Sequence, residues 1–293
     1  MKKSSKALVL TVSVFLFVML AQASAFAWKP EQPGDYKPVN DYVNMITRKH
    51  ASCKNILGPR TMVALVFGQS NSANSGGKRY TPKRDVYVYY EGKCYSAVDP
   101  LPGPNGNGGT VWSHLGDKLI EEGLFDKVLY VAVGVGGTNM ARWKPDGDLY
   151  PRVLDALDSL AKNGGIRITH ILWHQGESDT GMHTTKDNYK NMFMAMLNDI
   201  RKHGVDAPMY VAVATRCGAQ PPGYEIQQAQ RELVNPELKI FPGAYSDEIL
   251  SIDDRHDACH FSESGLDKHA NLWMNAIKYS GQIPAPATAA PGK

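Results

Sequence analysis

From residue 61 to about residue 280, short apolar runs alternate with longer segments in which apolar side chains recur every three or four positions. A continuous apolar run of strand length predicts a buried strand, whereas the longer spacing predicts the apolar face of a helix. The five predicted strands are Thr61–Phe67, Val128–Val133, Ile166–Trp173, Met209–Thr215 and Leu238–Phe241. The predicted helical faces contain Val111, Trp112, Leu115 and Leu119; Leu149, Val153, Leu157 and Leu160; Tyr189, Phe193, Met196 and Ile200; and Leu266, Ala270, Trp273 and Ile277, with a further helical region at residues 221–234.

This alternation constrains the fold because parallel strands need crossover connections, and helices of this length supply them. We therefore expect one α/β domain, a three-layer α/β/α sandwich in which a five-stranded parallel sheet is covered on both faces. Two segments interrupt the alternation. Val86–Tyr90 predicts an added edge strand or a hairpin with the segment around Cys94, and the Pro-, Gly- and Asn-rich loop Asp99–Gly109 is a candidate border of the functional site.

The first 27 residues have the pattern of a bacterial signal peptide. Lys2, Lys3 and Lys6 precede an apolar run, and Ala25-Phe26-Ala27 supplies the small residues of a cleavage site, so cleavage is expected after Ala27. The apolar run is short for a spanning helix, which needs about 20 residues. The residue directly after the cleavage site is Trp28 and not a cysteine that could carry a lipid. A periplasmic or secreted protein without a stable membrane anchor is therefore expected.

Removal of this segment lowers the formal net charge from +3 to zero, because it contains three lysines and no acidic residue. The remaining chain has no stretch that combines clustered Lys and Arg with aromatic residues, so no nucleic-acid partner is expected. The predicted organisation is an N-terminal arm at residues 28–60 with a short helix at Asp41–Lys49, one α/β domain at residues 61–280, and a disordered Pro- and Ala-rich tail at residues 281–293.

The four cysteines form an even set, which favours disulfides in an exported protein. Three pairings are possible, and sequence alone does not choose rigorously among them. Topology gives a preference, because Cys217 and Cys259 each follow a predicted strand and should lie at the same edge of the sheet. The preferred pairs are Cys217–Cys259 and Cys53–Cys94.

The first strand ends in Phe67-Gly68-Gln69-Ser70-Asn71-Ser72. A serine just beyond the carboxyl end of such a strand lies at the edge where open α/β sheets collect their ligands, so Ser70 is the candidate nucleophile. The Gly-x-Ser-x-Gly elbow is not matched, because Ser72 occupies its last position. Ser70 therefore needs partners from other segments.

Acyl transfer through a serine needs a base, an acid that orients this base, and hydrogen-bond donors for the oxyanion. Two later strands end in segments that could supply such groups. Gly134–Asn139 contains paired glycines, whose backbone can approach a ligand and direct an N–H at it. A Gly-x-Gly-x-x-Gly dinucleotide fingerprint is absent. Trp173–Asp179 contains Gln175, whose amide is a candidate donor to an oxyanion, and Glu177 and Asp179, which can fix neighbouring groups by hydrogen bonds.

The last polar segment is Asp253–Ser262. Asp257 and His260 are three residues apart, so one turn can hold the carboxylate against Nδ1 of the imidazole and leave Nε2 facing Ser70. Asp253 and His256 have the same spacing, so spacing does not decide. His260 is favoured because it lies at the entrance of the final helix, where Ser262 is a candidate N-cap.

These blocks resemble the ordered motifs of the SGNH/GDSL hydrolase superfamily, and more narrowly its sialate O-acetylesterase-like branch, which includes carbohydrate esterase family six. The resemblance covers about Thr61 to Ile277. The matching blocks are Gly68-Gln69-Ser70-Asn71, Val135-Gly136-Gly137-Thr138 with Trp143 downstream, Trp173-x-Gln175-Gly176-Glu177-Ser178-Asp179, and Asp257-x-x-His260-Phe261.

The resemblance implies a flavodoxin-like fold and hydrolysis of an acetyl ester on a carbohydrate. By position it makes Ser70 the nucleophile, His260 the general base and Asp257 the residue that orients it. The implied supporting residues are Asn71, Glu177 and Asp179, and the implied oxyanion donors are the Ser70 N–H, an N–H of Gly136 or Gly137, and the Gln175 amide. Glu177 has two open roles: it either supports the pocket or competes with Asp257 for the histidine.

Two residues depart from the family pattern. Cys259 immediately precedes His260, and a disulfide there would affect the rigidity of the catalytic loop. Ser72 stands where many relatives carry an apolar residue, which puts the wall of the acyl pocket in doubt.

The leading hypothesis is an exported serine O-acetylesterase that needs no cofactor. The alternatives are an O-acetyltransferase acting on an exported polysaccharide or peptidoglycan, and a carbohydrate-binding protein without turnover. A zinc site built from His256, Cys259 and His260 conflicts with disulfide formation and fits no common zinc spacing. Trp143 and Trp173 are candidates for stacking on sugar rings, although core packing is the favoured role of Trp173.

Overall fold

The computed structural model of the protein describes residues 48–219 and 221–281. The described strands are β1 (His50–Ala51), β2 (Thr61–Gly68), β3 (Val86–Tyr90), β4 (Lys93–Ser96), β5 (Lys127–Ala132), β6 (His170–His174), β7 (Met209–Val213) and β8 (Ile240–Tyr245). The described helices are α1 (Cys53–Ile56), α2 (Val111–Glu121), α3 (Tyr150–Lys162), α4 (Glu177–Gly181), α5 (Lys186–Lys202), α6 (Tyr224–Glu232) and α7 (Glu263–Tyr279).

The strands form one sheet in the order β1-β4-β3-β5-β2-β6-β7-β8. From β3 to β8 every neighbouring pair is parallel, whereas β4 and β1 are added antiparallel at the β3 side. The predicted fold class is confirmed, but the predicted count of five parallel strands is too low by one. Val86–Val88 of β3 pairs with Val128–Tyr130 of β5, so this strand extends the parallel sheet and also forms the hairpin that contains Cys94.

Strand β2 shows why the domain has three layers. Every residue from Thr61 to Gly68 is buried, so both faces of this strand are covered. Val63, Leu65 and Phe67 face a core shared with α3, α5 and α6, whereas Met62, Ala64 and Val66 face a core shared with α2 and α7. The alternation of side chains along a strand therefore divides one apolar run between two cores.

Several predicted boundaries shift by a few residues. Strand β6 begins at His170 rather than at Ile166, and β8 runs from Ile240 to Tyr245 because Pro236–Leu238 forms a 3₁₀ turn. Oδ1 of Asn235 accepts the N–H groups of Glu237 and Leu238, which caps this turn and keeps Leu238 out of β8.

The ends of the chain bear on the other organisational predictions. The structure describes residues 48–60 of the predicted arm, and these contain β1 and α1. The signal segment, residues 41–47 of the predicted short helix and residues 282–293 of the tail lie outside the described residues. Among the helices that are described, none is both long enough and apolar enough to cross a bilayer.

Both disulfides are present in the predicted pairing. Cys53–Cys94 joins α1 to β4, and Cys217–Cys259 joins the segment after β7 to the loop before α7. The second disulfide therefore fixes the residue next to His260 to a neighbouring strand end.

Candidate active site

The turn that carries Ser70 depends on Gly68. This glycine has a φ of +129°, and a Cβ added to it would lie only 2.1 Å from the carbonyl oxygen of His174. The Gln69 N–H donates to the same carbonyl at 3.0 Å, and Ser70–Ser72 then forms a 3₁₀ turn. The end of β2 is thereby fixed to the end of β6, with Ser70 at the carboxyl edge of the sheet.

Asp257 and His260 form the predicted pair. Nδ1 of His260 lies 2.6 Å from Oδ2 of Asp257, and Oδ1 of Asp257 accepts the N–H groups of His260 at 2.7 Å and of Cys259 at 3.0 Å. Partial burial pushes the pKa of Asp257 upwards, but the hydrogen bonds from His260 and Cys259 outweigh it and hold this pKa well below its ordinary value. Asp257 is therefore an anion that orients the imidazole.

The loop with this pair packs against the segment that follows Ser70. The Gly77 N–H donates to the Phe261 carbonyl at 2.9 Å, and Nε2 of His256 lies 3.0 Å from the Ser75 carbonyl oxygen. In the part of the chain that the structure describes, no hydrogen bond joins the Ser70 hydroxyl to His260. Such contacts often tighten only when substrate enters.

The glycine loop after β5 lies directly beside Ser70. A Cβ added to Gly136 would lie 3.2 Å from Cβ of Ser70, so only glycine lets the two segments approach so closely without a shift. Gly137 has a φ of +73°, which also favours glycine. The Gly136 N–H donates to Oδ1 of Asn105 at 2.8 Å, and this places the loop Asp99–Gly109 at the site.

Gln175 does not fit the predicted role of oxyanion donor. Its side chain is fully buried, and Nε2 lies 2.6 Å from Oδ2 of Asp179, 3.1 Å from the Thr138 carbonyl oxygen and 3.2 Å from Oε1 of Gln69. An amide nitrogen has two hydrogens, so three internal acceptors leave none for a ligand. The physical reason is that the Gln175 side chain is enclosed between the turn after β2, the glycine loop after β5 and α4, and it joins these three segments.

The buried carboxylates of Glu177 and Asp179 accept hydrogen bonds from the segments that follow β2 and β5. Oε1 of Glu177 accepts from Nδ2 of Asn71 at 2.9 Å and lies 3.2 Å from Nε2 of His174, while Oδ2 of Asp179 accepts the Met140 N–H at 2.8 Å. Burial works against the charge of Glu177, but His174 and Asn71 keep its pKa below the ordinary value. Burial raises the pKa of Asp179. Of the two open roles of Glu177, the structure fits support of the turn that carries Ser70.

Two tryptophans and a serine lie in the core near the site. Trp143 and Trp173 are fully buried and pack on Phe67, with ring centroids 5.6 Å and 4.8 Å from its ring. The suggestion that they stack on sugar rings is therefore wrong, since apolar neighbours cover both. Ser72 is also fully buried, and its carbonyl accepts from Nε1 of Trp112 at 2.8 Å.

Sequence reasoning missed two residues of the site. Asn105 contacts the glycine loop, and the only sequence signal for it was the composition of its Pro-, Gly- and Asn-rich loop. The Arg255 guanidinium lies 4.3 Å from the Phe261 ring centroid and donates to the Cys259 carbonyl. It braces the loop that carries His260, and nothing in its sequence position signals this contact.

The residues that could hold a metal ion include both members of the Asp257–His260 pair. Ligand atoms of His256, Asp257 and His260 lie within 4.8 Å of one another. A carbonyl can only accept, so the contact with Ser75 requires a proton on Nε2 of His256 and leaves Nδ1 as its ligand atom. Cys259 is used in a disulfide and cannot supply the thiolate of the zinc alternative.

The sequence also matches a known family. The family described as carbohydrate esterase, sialic acid-specific acetylesterase matches residues 60–277, which is most of the chain. The chain belongs to this family. It is thus a carboxylic ester hydrolase of the SGNH type, and the four motif blocks of this acetylesterase family all fall inside the matched span. No curated protein sequence matches the chain at a significant level.

Solved structures share the fold of this acetylesterase family member. A protein from Arabidopsis thaliana is 18% identical, with a TM-score of 0.56 and coverage of 76% of this chain and 99% of the other. NanS is 17% identical, with a TM-score of 0.52 and coverage of 76% and 98%. A putative GDSL-like lipase from Parabacteroides merdae is 15% identical, with a TM-score of 0.50 and coverage of 76% and 98%. At these identities the likeness is one of fold.

Proposed function

We propose that this protein is an exported serine esterase that removes O-acetyl groups from a carbohydrate through an acyl-enzyme. The observation that carries the proposal is the 2.6 Å contact between Nδ1 of His260 and the anionic Asp257, in a loop that packs against the segment following Ser70. The family supplies the substrate class. The basic leader, its cleavage pattern and two disulfides support export.

The reaction follows from these groups. Oγ of Ser70 attacks the acetyl carbonyl carbon while Nε2 of His260 takes the hydroxyl proton, and Asp257 stabilises the resulting imidazolium. When the tetrahedral intermediate collapses, the sugar oxygen leaves with the proton from His260, and the acetyl group stays on Ser70. Water then attacks this ester while His260 takes its proton, and His260 returns that proton to Oγ of Ser70 as acetate leaves.

The negative oxygen of each intermediate needs donors. We expect the Ser70 N–H and the Gly137 N–H to supply two of them, since this glycine loop lies against Cβ of Ser70, whereas the Gly136 N–H already donates to Asn105. The close packing of the two segments fixes these donors before substrate binds, so little reorganisation is needed during the reaction.

The first test is acetate release by the chain from Trp28 onwards, with 4-nitrophenyl acetate and O-acetylated sugars as substrates. Ser70→Ala should lower the rate by at least about 10³-fold, and Ser75→Ala, a nearby matched control, should not. A serine-directed phosphonate should add one adduct to the wild-type protein and none to Ser70→Ala. Lack of hydrolysis by folded wild-type protein, with acetyl transfer to an added oligosaccharide, would identify the transferase instead.

A further inference from the structure

Asn105 contacts the glycine loop at the point where that loop approaches the nucleophile. Oδ1 of Asn105 accepts the Gly136 N–H at 2.8 Å. A Cβ added to Gly136 would meet Cβ of Ser70 at 3.2 Å and Oδ1 of Asn105 at 3.6 Å. Gly136 is therefore in close contact with Ser70 and with the Asn105 carboxamide, which places that carboxamide at the reacting centre.

The backbone on both sides holds Asn105 in this position. Its N–H donates to the Gly134 carbonyl at 3.1 Å, and its carbonyl accepts the Asn74 N–H at 2.9 Å. The buried side chain of Asn74 also donates to the Pro104 and Leu101 carbonyls at 3.1 Å and 2.9 Å. None of these contacts uses the Asn105 side chain, so its substitution should leave the loop in place.

The orientation of the carboxamide follows from its partner. A backbone N–H can only donate, so the atom facing Gly136 is the oxygen of Asn105, and the NH₂ group points away from it on the opposite side of Cγ. Within residues 48–219 and 221–281, no protein acceptor lies at hydrogen-bond distance from Nδ2. The residue is partly exposed, so its two N–H groups are accessible to a ligand.

Two observations suit the Nδ2 hydrogens of Asn105 to donation at the reacting centre. The Gln175 amide is spent on three internal acceptors, so it cannot serve the ester. The Gly136 N–H is held by Asn105, and a hydrogen bond accepted at Oδ1 polarises the amide and makes Nδ2 a better donor. The reacting centre thus has an unused side-chain donor beside it.

We propose that Nδ2 of Asn105 donates to the acetyl carbonyl oxygen as it becomes an oxyanion, together with the Ser70 N–H. This inference rests on the proposed serine esterase function. It replaces the donor expected from Gln175, and it gives the loop Asp99–Gly109 a direct part in the reaction.

The test compares three variants with 4-nitrophenyl acetate. Asn105→Ala should lower kcat by about 10²–10³-fold, with a small change in KM and in melting temperature. Asn105→Asp keeps an acceptor for the Gly136 N–H but removes the NH₂ group and places a carboxylate beside the oxyanion. Its kcat should be as low as that of Asn105→Ala or lower. Asn107→Asp makes the same charge change at an exposed position of the same loop and should retain wild-type kcat.

The aspartate variant separates donation from a structural role. If Asn105 only holds Gly136, the carboxylate of Asn105→Asp still accepts the Gly136 N–H, and a kcat above that of Asn105→Ala would overturn the inference. Wild-type kcat in Asn105→Ala would also overturn it. Failure of the esterase function would look different, because the wild-type protein itself would then release no acetate in a Ser70-dependent manner.

Discussion

At the scale of single residues, the site depends on which polar atoms already have partners. Asp257 uses both oxygens on its own loop, one for the His260 ring and one for two backbone N–H groups. Gln175 has the right chemistry for an oxyanion donor but is used inside the protein. The amide of Asn105 is partly exposed, and Nδ2 has no protein acceptor within residues 48–219 and 221–281. Residue type alone therefore did not decide catalytic role.

Asp257→Asn should lower kcat by about 10⁴-fold, since an amide neither orients the imidazole in the same tautomer nor stabilises the imidazolium. Asp253→Asn is the matched control, because Asp253 precedes His256 with the same spacing, and it should keep wild-type activity. Equal losses in both variants, measured on a small acetyl ester, would contradict the assignment of Asp257.

The effect of Asp257→Asn on the melting temperature should depend on pH. The pKa of Asp257 is lower in the folded protein than its ordinary value of 3.8, so this carboxylate contributes stability above pH 3.8. That contribution is lost as the pH falls through the lower folded pKa. The difference in melting temperature between the wild-type protein and Asp257→Asn should therefore be larger at pH 7 than near pH 3. A difference that grows on acidification would contradict this sign.

At the scale of elements, the loop that carries His260 is held at both ends. Arg255 and Phe261 form a β-bridge, and the His256 N–H donates to the His260 carbonyl at 2.9 Å. Cys259, inside this closed loop, is bonded to Cys217 after β7. The loop is short and exposed, so these cross-links, rather than an apolar core, keep Asp257 and His260 in register with the Ser70 turn.

Replacement of Cys217 and Cys259 by serine should lower the free energy of unfolding by up to about 4 kcal/mol, the chain-entropy value for cysteines 42 residues apart. It should also lower kcat, because it frees the residue next to His260. The matched control is the double serine variant of Cys53 and Cys94, which are 41 residues apart and join α1 to β4.

The control should lose similar stability in urea unfolding but keep kcat under conditions where it is folded. A similar fall in kcat in both double variants would show that the Cys217–Cys259 disulfide acts only through global stability.

At the scale of the whole molecule, a parallel sheet with helices on both faces brings four distant segments to one edge. The two cores meet at β2, which contributes alternate side chains to each. The chain therefore gains a rigid base on which the turn after β2, the glycine loop after β5, the loop after β6 and the loop before α7 converge. The active site is built from loops, whereas the stability comes from the layers beneath them.

Export is the prediction that concerns the entire chain. Expressed in a bacterium with its leader, the protein should appear outside the cytoplasm with Trp28 as its first residue. Its isoelectric point should be lower than the precursor value of about 8.5, because three lysines are removed. N-terminal sequencing and isoelectric focusing measure both properties. A product that retains Met1 and stays in the cytoplasm would contradict the signal assignment.

The sequence by itself determined the fold class, because periodicity and strand length are local properties of the chain. It also determined the candidate residues Ser70, Asp257 and His260, since each stands in a motif beside a predicted strand or helix end. The same topology favoured the pairing of Cys217 with Cys259, and the structure then chose it among the three possible pairings. The sequence did not predict that Val86–Tyr90 is a sixth parallel strand, because this segment is short and its parallel partner, β5, lies far along the chain.

Only the tertiary structure decided which side chains face the reacting centre. Gln175 and Trp143 occupy motif positions, but their contacts come from segments far away in sequence, and those contacts bury them. Asn105 has no motif, and it reaches Gly136 because the loop between β4 and α2 crosses the end of β5. Periodicity sets which elements form, whereas the partner that each polar atom finds depends on packing between distant segments.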